Sequence, residues 1–121
     1  MLYKILITDD DHDLVEAMKI RFEREGYEVM VAYNGEECLE QARTWRPHLI
    51  ILDVAMPKMD GYSAVKILKS EEATKNIPII ILTGKDRLED IFKMEGVKAY
   101  FVKPVEYHVL AQKVKTLLGQ L

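Results

Sequence analysis

Five short apolar runs, separated by amphipathic stretches, constrain the fold of this chain more than any other feature. They are Ile5–Ile7, Val29–Ala32, Leu49–Leu52, Ile79–Leu82 and Tyr100–Val102. Each is nearly continuous rather than alternating with polar residues, the pattern of strands covered on both faces, as in a parallel sheet. The stretches between them have helical spacing. Leu14, Met18 and Phe22 fall at i, i+4 and i+8, and Cys38, Leu39, Ala42 and Trp45 share a face. So do Ala64, Val65 and Leu68; then Leu88, Ile91 and Phe92; then Leu110, Val114, Leu117 and Leu118. Gly26 ends the first helix, Asn34-Gly35 opens the second, Pro47 follows it, Asp60-Gly61 opens the third, and Gly96 ends the fourth. The pattern is a strand–helix unit repeated five times, without a linker, an internal sequence repeat or a low-complexity segment. We expect one domain over residues 1–121: an α/β, doubly wound, five-stranded parallel sheet with strand order 2-1-3-4-5.

The 121 residues are enough to enclose a core, and the apolar fraction of 49% is ordinary for a globule. A net charge of −3 argues against non-specific binding to nucleic acid or a membrane surface. The single cysteine, Cys38, cannot form an internal disulfide, and no apolar run approaches the ~20 residues that span a bilayer. The N-terminus lacks the layout of a signal peptide, so a cytoplasmic setting is expected.

In open parallel sheets, sites lie beyond the carboxyl ends of the strands. Strand one ends in Asp9-Asp10-Asp11, strand three in Asp53, strand four in Thr83 and strand five in Lys103-Pro104. Three acids, Asp9, Asp10 and Asp53, thus converge with a hydroxyl and an ammonium on one crevice. Carboxylates about 4 Å apart repel by roughly 4 kcal/mol at an effective dielectric of about 20. A hard cation such as Mg²⁺, which takes oxygen ligands, would offset that repulsion.

These residues resemble the receiver domain of two-component response regulators. The resemblance spans the whole chain and rests on Asp9-Asp10, on the run "DVAMPKMDG" from Asp53 to Gly61, on Thr83-Gly84, and on Tyr100-Phe101-Val102-Lys103-Pro104. It implies a flavodoxin-like fold and a phosphoryl group accepted by Asp53 from the phosphohistidine of a sensor kinase or phosphotransfer protein. It implies Mg²⁺ held by Asp53, by Asp10 directly and by Asp9 largely through water, with the backbone carbonyl of Ala55 as a further ligand. Thr83 would hydrogen-bond one phosphoryl oxygen and Lys103 would pair with another. Gly84, lacking a side chain, would let the group approach the backbone. Tyr100 would be an aromatic switch, outward when Asp53 is free and inward when it is phosphorylated. The face of the fourth helix, fifth strand and fifth helix would then bind an output partner. Such a domain modifies itself rather than turning over a substrate. A cis peptide between Lys103 and Pro104 is expected, since the strand end must aim the lysine into the site.

Other readings of the same residues are blander. Asp11 and Asp13 read as helix caps, with Asp13 and Glu16 at capping-box spacing. An EF-hand loop starting at Asp9 fails, because Leu14 and Ile20 stand where Gly and Glu are needed. His12, His48 and His108 are scattered, Cys38 and Trp45 read as packing, and Met56-Pro57 shapes the loop after Asp53. A flavodoxin-type redox protein would need a hydroxyl- and glycine-rich loop after strand one. An aspartyl phosphatase would need an acid where Ala55 stands. A receiver-like module that is never phosphorylated is the nearer rival, and the intact set Asp10, Asp53, Thr83 and Lys103 speaks against it.

Three departures from the family pattern stand out. Many DNA-binding members carry two acids where Lys98 and Ala99 stand, so their charged dimer contacts cannot be carried over. The stretch from Thr83 to Lys103 is about half a helical turn short, which trims the fourth helix or the loop before it. Ala55 and Lys85 hold the two positions that commonly flank the phosphoryl group.

Overall fold

A computed structural model of the chain describes residues 2–54, 61–85 and 87–120. Five strands, β1 (Lys4–Thr8), β2 (Glu28–Ala32), β3 (Leu49–Leu52), β4 (Ile79–Thr83) and β5 (Ala99–Val102), alternate with five helices. The helices are α1 (His12–Arg24), α2 (Gly35–Trp45), α3 (Gly61–Ser70), α4 (Glu89–Met94) and α5 (Tyr107–Leu117). The strands are parallel, in the order β2-β1-β3-β4-β5. Fold and topology match the sequence expectation.

Burial on both faces explains the continuous apolar runs. Leu6, Ile50, Leu52, Ile79, Ile81 and Tyr100 point to the side covered by α2, α3 and α4. Their neighbours Ile5, Ile7, Leu49, Ile51, Ile80, Leu82 and Ala99 point to the side covered by α1 and α5. Each fully buried aliphatic side chain contributes about 1.5–3 kcal/mol of transfer free energy. Cys38 is buried at the α2–sheet contact, and burial pushes its thiol up to about 11, against a lowering by the Thr8 hydroxyl. It is a packing residue.

Three details differ from the sequence reading. The cap of α1 is Asp11, whose Oδ1 accepts from the Leu14 amide at 3.1 Å, and Asp13 sits inside the first turn. The capping box at Asp13–Glu16 therefore does not form, because the helix starts one residue before Asp13. The buried line of α1 runs through Val15, Met18 and Phe22, with Leu14 only partly covered. On α4, Phe92 carries the contact, while Leu88 precedes the helix and Ile91 is exposed. Asn34 caps α2 as expected, accepting from the Glu37 amide at 2.9 Å. With six residues, α4 is the shortest helix, in keeping with the trimmed stretch between Thr83 and Lys103.

Candidate functional site

Strand register brings the site residues together. Thr8 pairs with Leu52, so the next residues, Asp9 and Asp53, emerge side by side. The Asp53 amide donates to the Thr8 carbonyl at 2.9 Å, and the Asp9 amide to the Ala32 carbonyl at 3.1 Å. Thr83 pairs with Val102, and the Lys103 amide donates to the Thr83 carbonyl at 2.8 Å. The Lys103-Pro104 peptide is cis, as the sequence reading expected.

Period-two alternation then sorts the side chains. Asp9 continues the Ile5–Ile7 side and Asp53 the Leu49–Ile51 side, both facing α1 and α5. Lys103 continues Ala99 and Phe101 on that same side. Its ammonium lies 2.6 Å from Asp9 Oδ2 and 3.2 Å from Asp53 Oδ2. Thr83 continues Ile79 and Ile81 on the other side, the one Tyr100 shares.

The acids are scarcely exposed, at 5% for the Asp9 side chain and 7% for Asp53, with Lys103 at 26%. Burial raises the Asp9 carboxyl above its ordinary value, against the hydrogen bonds from Lys103 and from the Asp11 amide. Partial burial works against the Lys103 ammonium, but its hydrogen bond to Asp9 and the charges of Asp53 and Asp9 outweigh it and raise its pKa. Carboxylate oxygens of Asp9, Asp10 and Asp53 all lie within 4.8 Å of one another. An all-oxygen, anionic donor set of this kind suits a hard cation. Ala55, the expected further ligand, and Met56-Pro57 and Asp60 lie outside the described residues.

One arrangement escaped the sequence reading. Thr83 Oγ1 accepts from the Lys85 amide at 3.4 Å, and the Tyr100 hydroxyl donates to the Lys85 carbonyl. The backbone of a single residue therefore holds both the hydroxyl at the crevice and the ring behind it. Tyr100 is 9% exposed and packs against Phe92, with ring centroids 6.1 Å apart. The structure thus holds the ring inward, not in the outward position expected for free Asp53, because burial against Phe92 and the Lys85 carbonyl both favour it there. A backbone partner leaves no side-chain trace in a sequence. Thr83 and Tyr100 share a sheet face because Ile81 pairs with Tyr100, a register that only the fold supplies.

Two glycines differ in kind. A Cβ on Gly61 would lie 2.4 Å from Val54 Cα, so the start of α3 needs glycine to close against the end of β3. The Gly61 amide donates to the Val54 carbonyl at 3.1 Å across that approach. A Cβ on Gly84 would meet nothing within 4 Å among the described residues. Its lack of a side chain leaves open space beside Thr83.

Fold and site together define an α/β domain with an acidic pocket, bridged by the Lys103 ammonium, at the carboxyl end of a parallel sheet. The response regulator receiver domain family matches residues 5–115, and the chain belongs to that family. It is 38% identical over 117 residues to the alkaline phosphatase synthesis transcriptional regulatory protein PhoP of Bacillus subtilis. That match covers 95% of this chain and 48% of PhoP, so the chain spans about half of that relative's length. It is 32% identical to protein PilH of Pseudomonas aeruginosa, covering 96% of this chain and 98% of PilH. Among solved structures, chemotaxis response regulator CheY4 of Vibrio cholerae superposes with a TM-score of 0.88 at 30% identity, covering 97% of this chain and 99% of that one. The receiver domain of a signal transduction histidine kinase from Syntrophus aciditrophicus gives 0.87 at 36%, covering 98% and 92%. Receiver domains generally bind Mg²⁺ at an acidic pocket, and they interact with histidine kinases or phosphotransfer proteins and with output domains. Among the described residues no helix is long and apolar enough to cross a membrane.

Proposed function

We propose that Asp53 is the phosphoacceptor. A carboxylate oxygen of Asp53 attacks phosphorus, the bond from phosphorus to the donor imidazole breaks as the new P–O bond forms, and the imidazole leaves. Phosphoryl transfer needs mainly alignment and charge neutralisation, so a weak nucleophile suffices. Lys103 Nζ, 3.2 Å from Asp53 Oδ2, supplies fixed positive charge for a phosphoryl oxygen. The Thr83 hydroxyl donates to another oxygen once it turns from the Lys85 amide. Asp9, Asp10 and Asp53 would hold Mg²⁺, which would neutralise charge on the transferring group. The domain would act in the cytoplasm, receiving from a sensor histidine kinase or phosphotransfer protein, without contacting nucleic acid or membrane itself.

Occupancy of the crevice would be read at Tyr100. Moving the Thr83 hydroxyl toward a phosphoryl oxygen releases the Lys85 amide, and the Lys85 carbonyl is what anchors Tyr100. Two arrangements of the α4–β5–α5 face would then exchange population.

The observation that carries the reading is the single ammonium shared by two nearly buried carboxylates at neighbouring strand ends. It is tested by incubation with acetyl phosphate and Mg²⁺, followed by mass spectrometry of peptides. Label on Asp53, lost in Asp53→Asn, supports it. Equal label in the variant would overturn the assignment.

A further inference from the structure

Glu95 stands where a helix disfavours it. It is the C-cap of α4, at the negative end of the helix dipole, which favours cations over carboxylates. Its partner lies on another helix: the Tyr62 hydroxyl, from the first turn of α3, donates to Glu95 Oε1 at 2.8 Å. Both residues are partly buried, and a carboxylate accepts a shorter and stronger hydrogen bond than a neutral oxygen does. The Tyr62 ring also meets Phe92 edge-on, with centroids 5.7 Å apart and planes at 78°. Phe92 and Glu95 belong to one closed turn, because the Phe92 carbonyl accepts from the Glu95 amide at 3.1 Å and from the Val97 amide at 3.3 Å. Tyr62 therefore grips that turn twice, at its carboxylate and at its ring.

The two ends of this grip differ in how well they are held. Tyr62 follows Gly61, whose close approach to Val54 fixes the start of α3 against the residue next to Asp53. By contrast, α4 is six residues long, its N-cap Leu88 makes no side-chain hydrogen bond, and Ile91 and Met94 are 47% and 86% exposed. A helix this short takes its position from tertiary contacts rather than from its own stability. Phe92, the buried residue of α4, is also the ring that packs on Tyr100. We propose that Tyr62 is a positioning residue for Tyr100: by holding Glu95 and Phe92 it sets the inward position of the Tyr100 ring before the crevice is occupied. The inference rests on the reading of Tyr100 as the switch, as above, and adds what fixes its resting population. Occupancy favours the inward ring, so a residue that holds it there also strengthens binding of a phosphoryl mimic.

The test compares Tyr62→Phe, Glu95→Ala and Glu95→Gln with wild type. Tyr62→Phe keeps the ring and loses the hydroxyl, whereas Glu95→Gln keeps an oxygen that can accept from it. NMR reads the nuclear Overhauser effect between the Phe92 and Tyr100 rings in the free protein, and a titration with Mg²⁺ reads beryllofluoride binding. In Tyr62→Phe and in Glu95→Ala the ring-to-ring effect should weaken. Beryllofluoride should bind these variants about three-fold more weakly, as follows if the competent population falls to about a third. The double variant Tyr62→Phe/Glu95→Ala should be no worse than either single one, because both remove the same bond. Glu95→Gln should stay near wild type. An undiminished ring-to-ring effect in Tyr62→Phe, additive losses in the double variant, or a Glu95→Gln as impaired as Glu95→Ala would each overturn the proposal. If the ring-to-ring effect falls as expected but beryllofluoride binding is unchanged, or absent even in wild type, the positioning role stands and the reading of Tyr100 or of Asp53 above is what fails.

Discussion

The ammonium of Lys103 lies closer to Asp9 than to Asp53, 2.6 Å against 3.2 Å, so its main partner is not the residue assigned to accept the phosphoryl group. Asp9 is the nearer anchor that holds the lysine over the crevice. The pair is also a stability element, because two nearly buried acids would otherwise face each other.

Lys103→Met should therefore destabilise the metal-free protein at neutral pH by about 2 kcal/mol, read from urea midpoints. That is less than the 3–5 kcal/mol of a fully buried broken pair, because the lysine is partly exposed. The gap between wild type and variant should depend on pH. The Lys103 pKa is raised on folding, so its contribution is complete below 10.5 and is lost as pH rises through the folded value. The Asp9 pKa is also raised on folding, so folding favours its protonated form, and stability drawn from it is lost as pH rises above 3.8. A variant as stable as wild type at pH 7 would remove this role.

Asp10 is exposed and shares the carboxylate cluster with Asp9 and Asp53. In chelator, Asp10→Asn should be more stable than wild type by about 1 kcal/mol, since one repelling charge is gone and exposure screens much of the rest. Millimolar Mg²⁺ should raise the wild-type melting temperature by mass action and raise that of Asp10→Asn less. An unchanged or lower metal-free melting temperature in the variant would contradict the repulsion account.

Gly61 and Gly84 should separate packing from chemistry. Gly61→Ala forces a Cβ into Val54 and should cost about 3 kcal/mol in a denaturant titration. Gly84→Ala meets open space, so its stability should stay within about 0.5 kcal/mol of wild type. Its defect should appear as weaker beryllofluoride binding, because the new methyl group occupies the approach beside Thr83. Full beryllofluoride affinity in Gly84→Ala would show that the approach lies elsewhere.

The sheet order and the strand ends were legible because each strand is buried on both faces and so writes a continuous apolar run. Asp9, Asp53, Thr83 and Lys103 followed from standing immediately after those runs. The start of α1 was less legible: two aspartates, Asp11 and Asp13, can each cap a helix, and only backbone geometry selects Asp11. The Lys85 link was illegible for a different reason. Both of its contacts use main-chain atoms, which any residue supplies. The inward Tyr100 depends on Phe92, a packing partner eight residues away on a helix whose apolar face and trimmed length were visible but whose contact with Tyr100 was not.

On the proposed reading, occupancy at Asp53 reaches the α4–β5–α5 face through Thr83, Lys85 and Tyr100. The most direct measurement compares amide NMR spectra with and without beryllofluoride in wild type and in Thr83→Ala. In wild type, shifts should run from Asp53 and Thr83 through Lys85 to Tyr100 and the residues from Leu88 to Lys98. In Thr83→Ala the mimic should still bind at Asp53, with the distal shifts much reduced. Wild-type shifts confined to the crevice, or distal shifts undiminished in Thr83→Ala, would contradict the account.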